Sequence, residues 1–270
     1  SGMAALSAAL SANVSAGDHV VASGSLYAES VRLLRDQLHR FGVETTFADT
    51  TDDVAIEAAM RDTTRAVLVE TPANPTLAIT DIRSVSEIAR RRGATLIVDS
   101  TFGTPYHQQP LALGADLVVH SATKALAGHG DAIGGVVLGS ASAATRVRHV
   151  GVRTAGAAMS PVSAMLISRG VRTLGLRMAR ASATAAELAR RLEGDARIER
   201  VHYPGLDSHR GHAVAARQMV RGFGATSQLR DGFYRLGRYG SSNIDSMEII
   251  KGSNAAIYGR TSPGGMINMI

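Results

Sequence analysis

The chain has 270 residues, 45% of them hydrophobic, which is enough to bury the core of one large domain or two modest ones. It has no cysteine, no apolar run long enough to span a bilayer and no visible export signal, so we expect no disulfide and no metal site and, for residues 1–225, no membrane contact and a cytoplasmic location. The net charge of +6 comes from arginines spread along the chain with few aromatic residues beside them, which favours a solvated surface over a nucleic-acid partner.

The first two elements each offer one candidate ligand contact. A helix of small residues begins at Gly2, and its start leaves backbone N–H groups facing outward that suit a phosphate, although a plain Ala-rich helix start explains the same pattern. A short strand over residues 19–21 then leads to Tyr27. At a strand exit, Tyr27 is either a packed aromatic residue or a ring that stacks on a ligand.

The next segments alternate between helix and strand. We predict a helix ending at Arg40, then strands over 43–47 and 66–70 with a helix over 52–61 between them. The exit of the second strand carries Asn74 between two prolines, where asparagine is commonly a turn former. 

A further helix–strand unit follows. It consists of a helix over 81–92 and a strand over 94–98 that ends in Asp99. A carboxylate at this position caps the following turn or holds a protonated ring nitrogen of a ligand.

The run His-Ser-Ala-Thr-Lys at 120–124 follows a short apolar strand over 117–119, so it emerges at a carboxyl end, where α/β sheets bind ligands. The hydroxyls of Ser121 and Thr123 are spaced to bind one phosphate. Lys124 is one of only two lysines in the chain, and a lysine, unlike an arginine, forms an imine with a carbonyl compound. It is therefore a candidate for Schiff-base chemistry, with an ordinary exposed lysine as the alternative.

The rest of the chain predicts a second, smaller unit. His129 and Asp131 lie in a glycine-rich segment that reads as a turn with polar tips, with catalysis as the alternative, and a strand over 134–139 and helices from Ser160 to Leu192 follow. The residues thus predict an α/β fold with a mostly parallel sheet. We expect a large domain over 1–195 and the start of a truncated small domain over 196–225.

Five motifs occur along the chain in the order that is typical of one protein family. They are Ser-Gly-Met-Ala-Ala at 1–5, Leu-Tyr at 26–27, Glu-Thr-Pro-Ala-Asn-Pro-Thr at 70–76, Val-Asp-Ser-Thr-Phe at 98–102 and His-Ser-Ala-Thr-Lys at 120–124. Residues 1–225 therefore resemble the cysteine/methionine-metabolism family of pyridoxal-phosphate enzymes, which includes cystathionine synthases and lyases, methionine γ-lyase and homoserine-ester sulfhydrylases. The resemblance implies a fold-type-I large domain with three αβα layers, and γ-elimination or γ-replacement on sulfur amino acids.

The resemblance also implies a role for each motif residue. Lys124 forms the Schiff base with pyridoxal 5′-phosphate, Asp99 keeps the ring nitrogen protonated, and Asn74 hydrogen-bonds near the ring hydroxyl. Tyr27 stacks on the ring and acts in proton transfer. The implied phosphate ligands are the backbone of Gly2 and Met3 and the hydroxyls of Ser121 and Thr123.

The chain departs from the family pattern at several points. Tyr27 is followed by Ala-Glu-Ser, where the family has Gly and then Gly or Cys. Methionine γ-lyases often carry the cysteine, so its absence weakens the case for a methionine γ-lyase specificity. In the family an arm before residue 1 reaches the neighbouring subunit, and an arginine beyond residue 225 binds the substrate carboxylate. We therefore expect a homo-oligomer weaker than in the family, and an impaired enzyme.

Residues 226–270 form a third segment of different composition, rich in Ser, Asn, Ile and Met. The runs at 244–252 and 256–268 resemble the plug domain of TonB-dependent outer-membrane receptors. This resemblance implies a fused segment and offers an alternative function, receptor binding or transport. A segment that completes the enzyme's small domain is the other interpretation.

Overall fold

The computed structural model describes residues 1–224 in full and, beyond them, the backbone of three strands. The elements up to the sixth strand are α1 (Gly2–Ser11), β1 (His19–Ser23), α2 (Ala28–Arg32), β2 (Glu44–Ala48), α3 (Asp53–Ala59), β3 (Thr64–Glu70), α4 (Ile82–Arg91), β4 (Thr95–Asp99), α5 (Thr104–His107), β5 (Leu117–Ser121) and β6 (Gly135–Gly139). After them come α6 (Ala141–Arg148), α7 (Pro161–Val171), α8 (Leu174–Glu193), β7 (Arg200–His202), α9 (His212–Gln218), β8 (Thr226–Arg230), β9 (Ser246–Ile250) and β10 (Met266–Met269).

The main sheet has six strands in the order β2-β1-β3-β4-β5-β6. The first five are mutually parallel, and β6 pairs antiparallel with β5. The predicted α/β fold with a mostly parallel sheet is therefore confirmed. The antiparallel edge strand was not foreseen, because the direction of a strand depends on how its loop returns and not on its own residues.

Helices cover both faces of this sheet, so its central strands are apolar on both sides. Along β4, Ile97 packs into the cluster under α1 and α2, whereas Leu96 and Val98 pack into the cluster under α3 and α4. All three side chains are fully buried. This alternation gives the three layers, and it leaves the polar residues at the carboxyl ends of the strands as the place where a ligand can enter.

A second, antiparallel sheet joins β7 to the strands of the last segment, in the order β10-β9-β8-β7. The strand β9 falls within the first of the two runs that resemble a receptor plug, and β10 begins within the second. The plug-like identity of this segment stays a prediction. Among the described residues, the structure contains no helix with the length and apolar character needed to cross a bilayer.

Candidate active site

A pocket of about 200 Å³ lies at the carboxyl ends of β3, β4 and β5, next to the start of α1. The eight residues singled out from the sequence all line it: Gly2, Met3, Tyr27, Asn74, Asp99, Ser121, Thr123 and Lys124. The structure thus brings together residues from five separate segments of the chain. A larger open depression of about 1000 Å³ adjoins this pocket, and Glu70 lines both.

The amino end of α1 forms one wall of the pocket. The hydroxyl of Ser1 accepts a hydrogen bond from the Ala4 N–H at 3.1 Å, and the Ala5 N–H reaches the Ser1 carbonyl at 3.1 Å. Gly2 and Met3, in the first turn, have no helical carbonyl before them to bond. Their N–H groups and the helix dipole make this wall suited to an anion.

Gly2 permits a close approach between α1 and the Ser121 turn. A Cβ atom at Gly2 would lie 2.7 Å from the Cβ of Ser121 and 2.9 Å from its hydroxyl oxygen. Those distances are shorter than van der Waals contact, so only a glycine allows the helix start and the serine hydroxyl to face one small space together. A cradle of this size, built from backbone N–H groups and a hydroxyl, fits a phosphate.

We expect Gly2→Ala to weaken binding of pyridoxal phosphate at least tenfold, because the added methyl group forces α1 away from Ser121. Overpacking of this kind costs about 1 to 3 kcal/mol. Gly175→Ala in α8 is the matched control, since a Cβ there meets its nearest neighbour, the Tyr106 ring, at an ordinary 3.7 Å. Equal cofactor affinity in the two variants, measured by absorbance titration, would show that the close approach does not shape the site.

Lys124 lies in a turn that the neighbouring backbone holds in place. Its N–H donates to the Ser121 carbonyl at 3.1 Å, and its carbonyl accepts from the Gly128 N–H at 2.8 Å. Arg177 of α8 donates to the carbonyls of Ala125 and Gly170, both at 2.8 Å. Hydrogen bonds therefore connect the backbone around the half-buried Lys124 to the end of β5 and, through Arg177, to α7.

The Thr123 hydroxyl is engaged with the backbone of Gly134. It accepts from the Gly134 N–H at 3.0 Å and lies 3.2 Å from the Gly134 carbonyl, to which it donates. Its predicted contact with a phosphate stays a prediction, and in that contact the hydroxyl proton would leave the carbonyl. The hydroxyl also fixes the start of β6 against the Lys124 turn.

Asp99 caps the turn after β4, which is one of the two roles that its position suggested, and it is placed where the other role is possible. Its Oδ1 atom accepts from the Thr101 N–H at 3.0 Å and from the Thr101 hydroxyl at 2.5 Å, which caps the turn after β4. The same carboxyl group lines the pocket. Burial raises its pKa, since the charged form loses hydration. A cation in the pocket would reverse that effect, so this carboxyl group is suited to holding a protonated ring nitrogen.

Glu70, to which the sequence analysis assigned no role, is a pocket residue as well. It is the last residue of β3, only 7% exposed, and it pairs in register with Asp99 across β3 and β4. Burial, and then the nearby Asp99 carboxyl, raise the pKa of Glu70 to about 8. The signal available in the sequence was that Glu70 and Asp99 each follow or end a predicted parallel strand, whereas their register is seen only in the folded sheet.

The cofactor-free protein should lose about 1 kcal/mol of its free energy of unfolding between about pH 7 and about pH 9. In this range the folded state retains a proton on Glu70 that the unfolded state has already released, so a rising pH favours unfolding until the pKa of about 8 is passed. Burial lowers the pKa of His120 to about 4, but that effect is complete once pH exceeds the ordinary histidine value of 6.5. Urea titrations at the two pH values measure the change. Burial also raises the pKa of Asp99, which acts in the same direction, so Glu70→Gln should reduce the loss. An equal loss in that variant would contradict this assignment.

The glycine-rich turn at 128–131 lies outside the pocket lining. His129 is exposed and its Nδ1 atom lies 2.7 Å from the Ala127 carbonyl, while the exposed Asp131 pairs with Arg169 at 3.5 Å. The turn interpretation therefore describes both residues. In the part of the chain that the structure describes, no three His, Cys, Asp or Glu side chains are grouped as metal ligands.

Comparison with known proteins gives the family. The family model described as "Cys/Met metabolism PLP-dependent enzyme" matches residues 1–236, and the chain belongs to that family. The match extends beyond residue 225, into the segment of different composition. The chemistry of the family requires pyridoxal 5′-phosphate, and the pocket fits that group: an amine, a buried carboxyl and an anion cradle face one space.

The relatives include both gamma-lyases and a beta-lyase. The chain is 45% identical over 237 residues to an L-methionine gamma-lyase of Fusobacterium nucleatum subsp. polymorphum, covering 86% of this chain and 60% of the relative. It is 41% identical over 220 residues to a cystathionine beta-lyase of Lactococcus lactis subsp. cremoris, covering 81% of this chain and 57% of the relative. A crystal structure of cystathionine gamma-lyase from Lactobacillus plantarum complexed with L-serine superposes with a TM-score of 0.83 at 37% identity, covering 86% of this chain and 60% of that one. The chain thus spans about 60% of the length of such relatives.

Proposed function

We propose that the protein binds pyridoxal 5′-phosphate in the pocket at the ends of β3–β5 and catalyses γ-elimination or γ-replacement on a sulfur amino acid. Methionine, cystathionine and acylated homoserine are the candidate substrates. The observation that carries the proposal is the convergence of Lys124, Asp99 and the amino end of α1 on one pocket. Each of the three suits a different group of the cofactor: its aldehyde, its ring nitrogen and its phosphate.

Two residues carry the proposed chemistry. The bound cofactor would supply an electron sink for the electron pair left when the substrate loses its Cα proton. The Lys124 amine would hold the cofactor through its aldehyde and, when free, would move protons between Cα and Cβ of the substrate. Tyr27, 37% exposed at the start of α2, stacks on the ring and assists proton transfer.

The other residues hold the cofactor in place. The Asp99 carboxylate would keep the ring nitrogen protonated, and Asn74 would hydrogen-bond near the ring hydroxyl. The phosphate ligands in this proposal are the N–H groups of Gly2 and Met3 and the hydroxyls of Ser121 and Thr123. An anion at the amino end of α1 gains from the helix dipole as well as from the hydrogen bonds.

Residues 1–195 form the cofactor domain in this proposal, and residues 196–225 begin a second domain. The support is a separate apolar cluster in which Val201, Tyr203 and Leu206 pack on Ala185 and Ala189 of α8. Assembly into a homo-oligomer also belongs to the proposal. The cytoplasmic location stays a prediction.

Deuterium exchange tests the proposed reaction directly. The protein saturated with pyridoxal phosphate is incubated in D₂O with methionine or with norleucine, which lacks a sulfur leaving group. We expect Cα–H exchange with both substrates and, at the reduced rate of an impaired enzyme, release of thiol, ammonia and α-keto acid from methionine alone. With cystathionine, γ-elimination releases cysteine, whereas β-elimination releases homocysteine. Homocysteine as the product would overturn the γ assignment, and the absence of any exchange would overturn the proposed enzyme activity.

A further inference from the structure

The Glu70 carboxyl joins two loops that are far apart in the sequence. Its Oε2 atom accepts from the backbone N–H of Tyr27 at 2.7 Å, and its Oε1 atom accepts from the backbone N–H of Asn74 at 2.9 Å. Tyr27 follows β1 and Asn74 follows β3, so 43 and 4 residues separate them from Glu70. One rigid strand end thereby sets the backbone positions of both loops.

Helix capping explains only part of this arrangement. Tyr27 is the N-cap residue of α2 and its own side chain makes no capping bond, but its N–H is accepted by the Glu70 carboxyl, as the acidic residue of a capping box would do, from another strand. A cap needs one oxygen atom, and the second oxygen binds the Asn74 loop instead. Both oxygens are therefore used for holding the two loops at a fixed separation.

Burying the Glu70 carboxyl group lowers the stability of the fold, and a functional role would explain why a carboxyl group stands at this position. Moving a carboxyl group from water into a protein interior costs free energy, and here a second carboxyl, Asp99, lies in the paired position on β4. Carboxyl groups in such settings are concentrated at functional sites. An apolar residue would fill the same space without this cost, but it would leave the N–H groups of Tyr27 and Asn74 without their acceptor.

We propose that Glu70 is a positioning residue, which holds the Tyr27 and Asn74 loops at the separation that the cofactor ring requires. The inference rests on the proposed function, because it assigns these two side chains to the ring. Glu70 itself acts through the backbone of its neighbours. Its loss should therefore change how the ring is held more than it changes the stability of the fold.

The test compares Glu70→Gln and Glu70→Asp with the parent chain. The amide keeps the size of the side chain but presents an N–H₂ group to one of the two N–H donors, and aspartate keeps the charge but is one methylene too short. We expect both variants to bind pyridoxal phosphate at least tenfold more weakly and to change the circular dichroism of its visible band, which reports ring orientation. The melting temperature of the cofactor-free Gln variant should match or exceed that of the parent chain.

Asp116→Asn is the matched control. The Asp116 carboxylate likewise accepts a backbone N–H, that of Leu96 at 2.8 Å, but it lies at the amino end of β5, whereas the pocket lies at the carboxyl ends of the strands. This variant should therefore bind the cofactor as the parent does. Parent-like affinity and dichroism in Glu70→Gln, or full binding in Glu70→Asp, would overturn the positioning role. If Glu70→Gln does not fold, the Asp variant carries the test. A parent chain that binds no cofactor would overturn the proposed function itself.

Discussion

Lys124→Ala should abolish covalent capture of pyridoxal phosphate, with no visible band of bound cofactor and no adduct after borohydride reduction. The substitution removes the amine, and no other side chain in the pocket lining is a primary amine. The two backbone hydrogen bonds of residue 124 remain, so the free energy of unfolding should change by less than about 1 kcal/mol.

The control is Lys251→Ala, which removes the other lysine of the chain. It should leave the visible band and the adduct unchanged. Absorbance spectra and intact-protein mass spectra measure both. A reducible adduct that persists in Lys124→Ala would show that another amine carries the cofactor.

Asp99→Asn should retain part of the cofactor affinity but slow Cα–H exchange about a hundredfold. A nearby opposite charge shifts a pKa by about 1 to 3 units, and two units correspond to about a hundredfold in the protonated fraction of the ring nitrogen. The amide keeps an oxygen atom for Thr101, so the turn after β4 should persist.

Deuterium exchange at Cα, followed by NMR, measures this effect, with Asp116→Asn as the control for a change from carboxylate to amide. Exchange at the parent rate in Asp99→Asn would mean that another group maintains the protonated ring. An equal slowing in the control would point to a general effect on the fold.

The sequence was sufficient for the fold class and for the main chemical groups of the site. Apolar runs such as 117–119 mark the buried strands, and the polar residue that ends each run lies at the ligand edge of the sheet. Asp99 and Lys124 therefore lie in the pocket as their positions predict. Their roles toward the cofactor remain predictions.

Two features depended on contacts that no local pattern encodes. Glu70 matters through its register with Asp99 and through a hydrogen bond to Tyr27, 43 residues away. The Thr123 hydroxyl is used by Gly134 of the following segment. A residue's partners on other strands are fixed only after the sheet has formed, so sequence reasoning identified the groups but not all of their partners.

The most direct test of the central claim is to locate the cofactor on the unmodified chain. The protein is mixed with pyridoxal 5′-phosphate, reduced with borohydride, digested and analysed by mass spectrometry. We predict one phosphopyridoxyl group per chain, on the peptide that contains Lys124. A label on Lys251 or on the amino terminus instead, or no label at all, would contradict the assignment of this pocket as the pyridoxal-phosphate site.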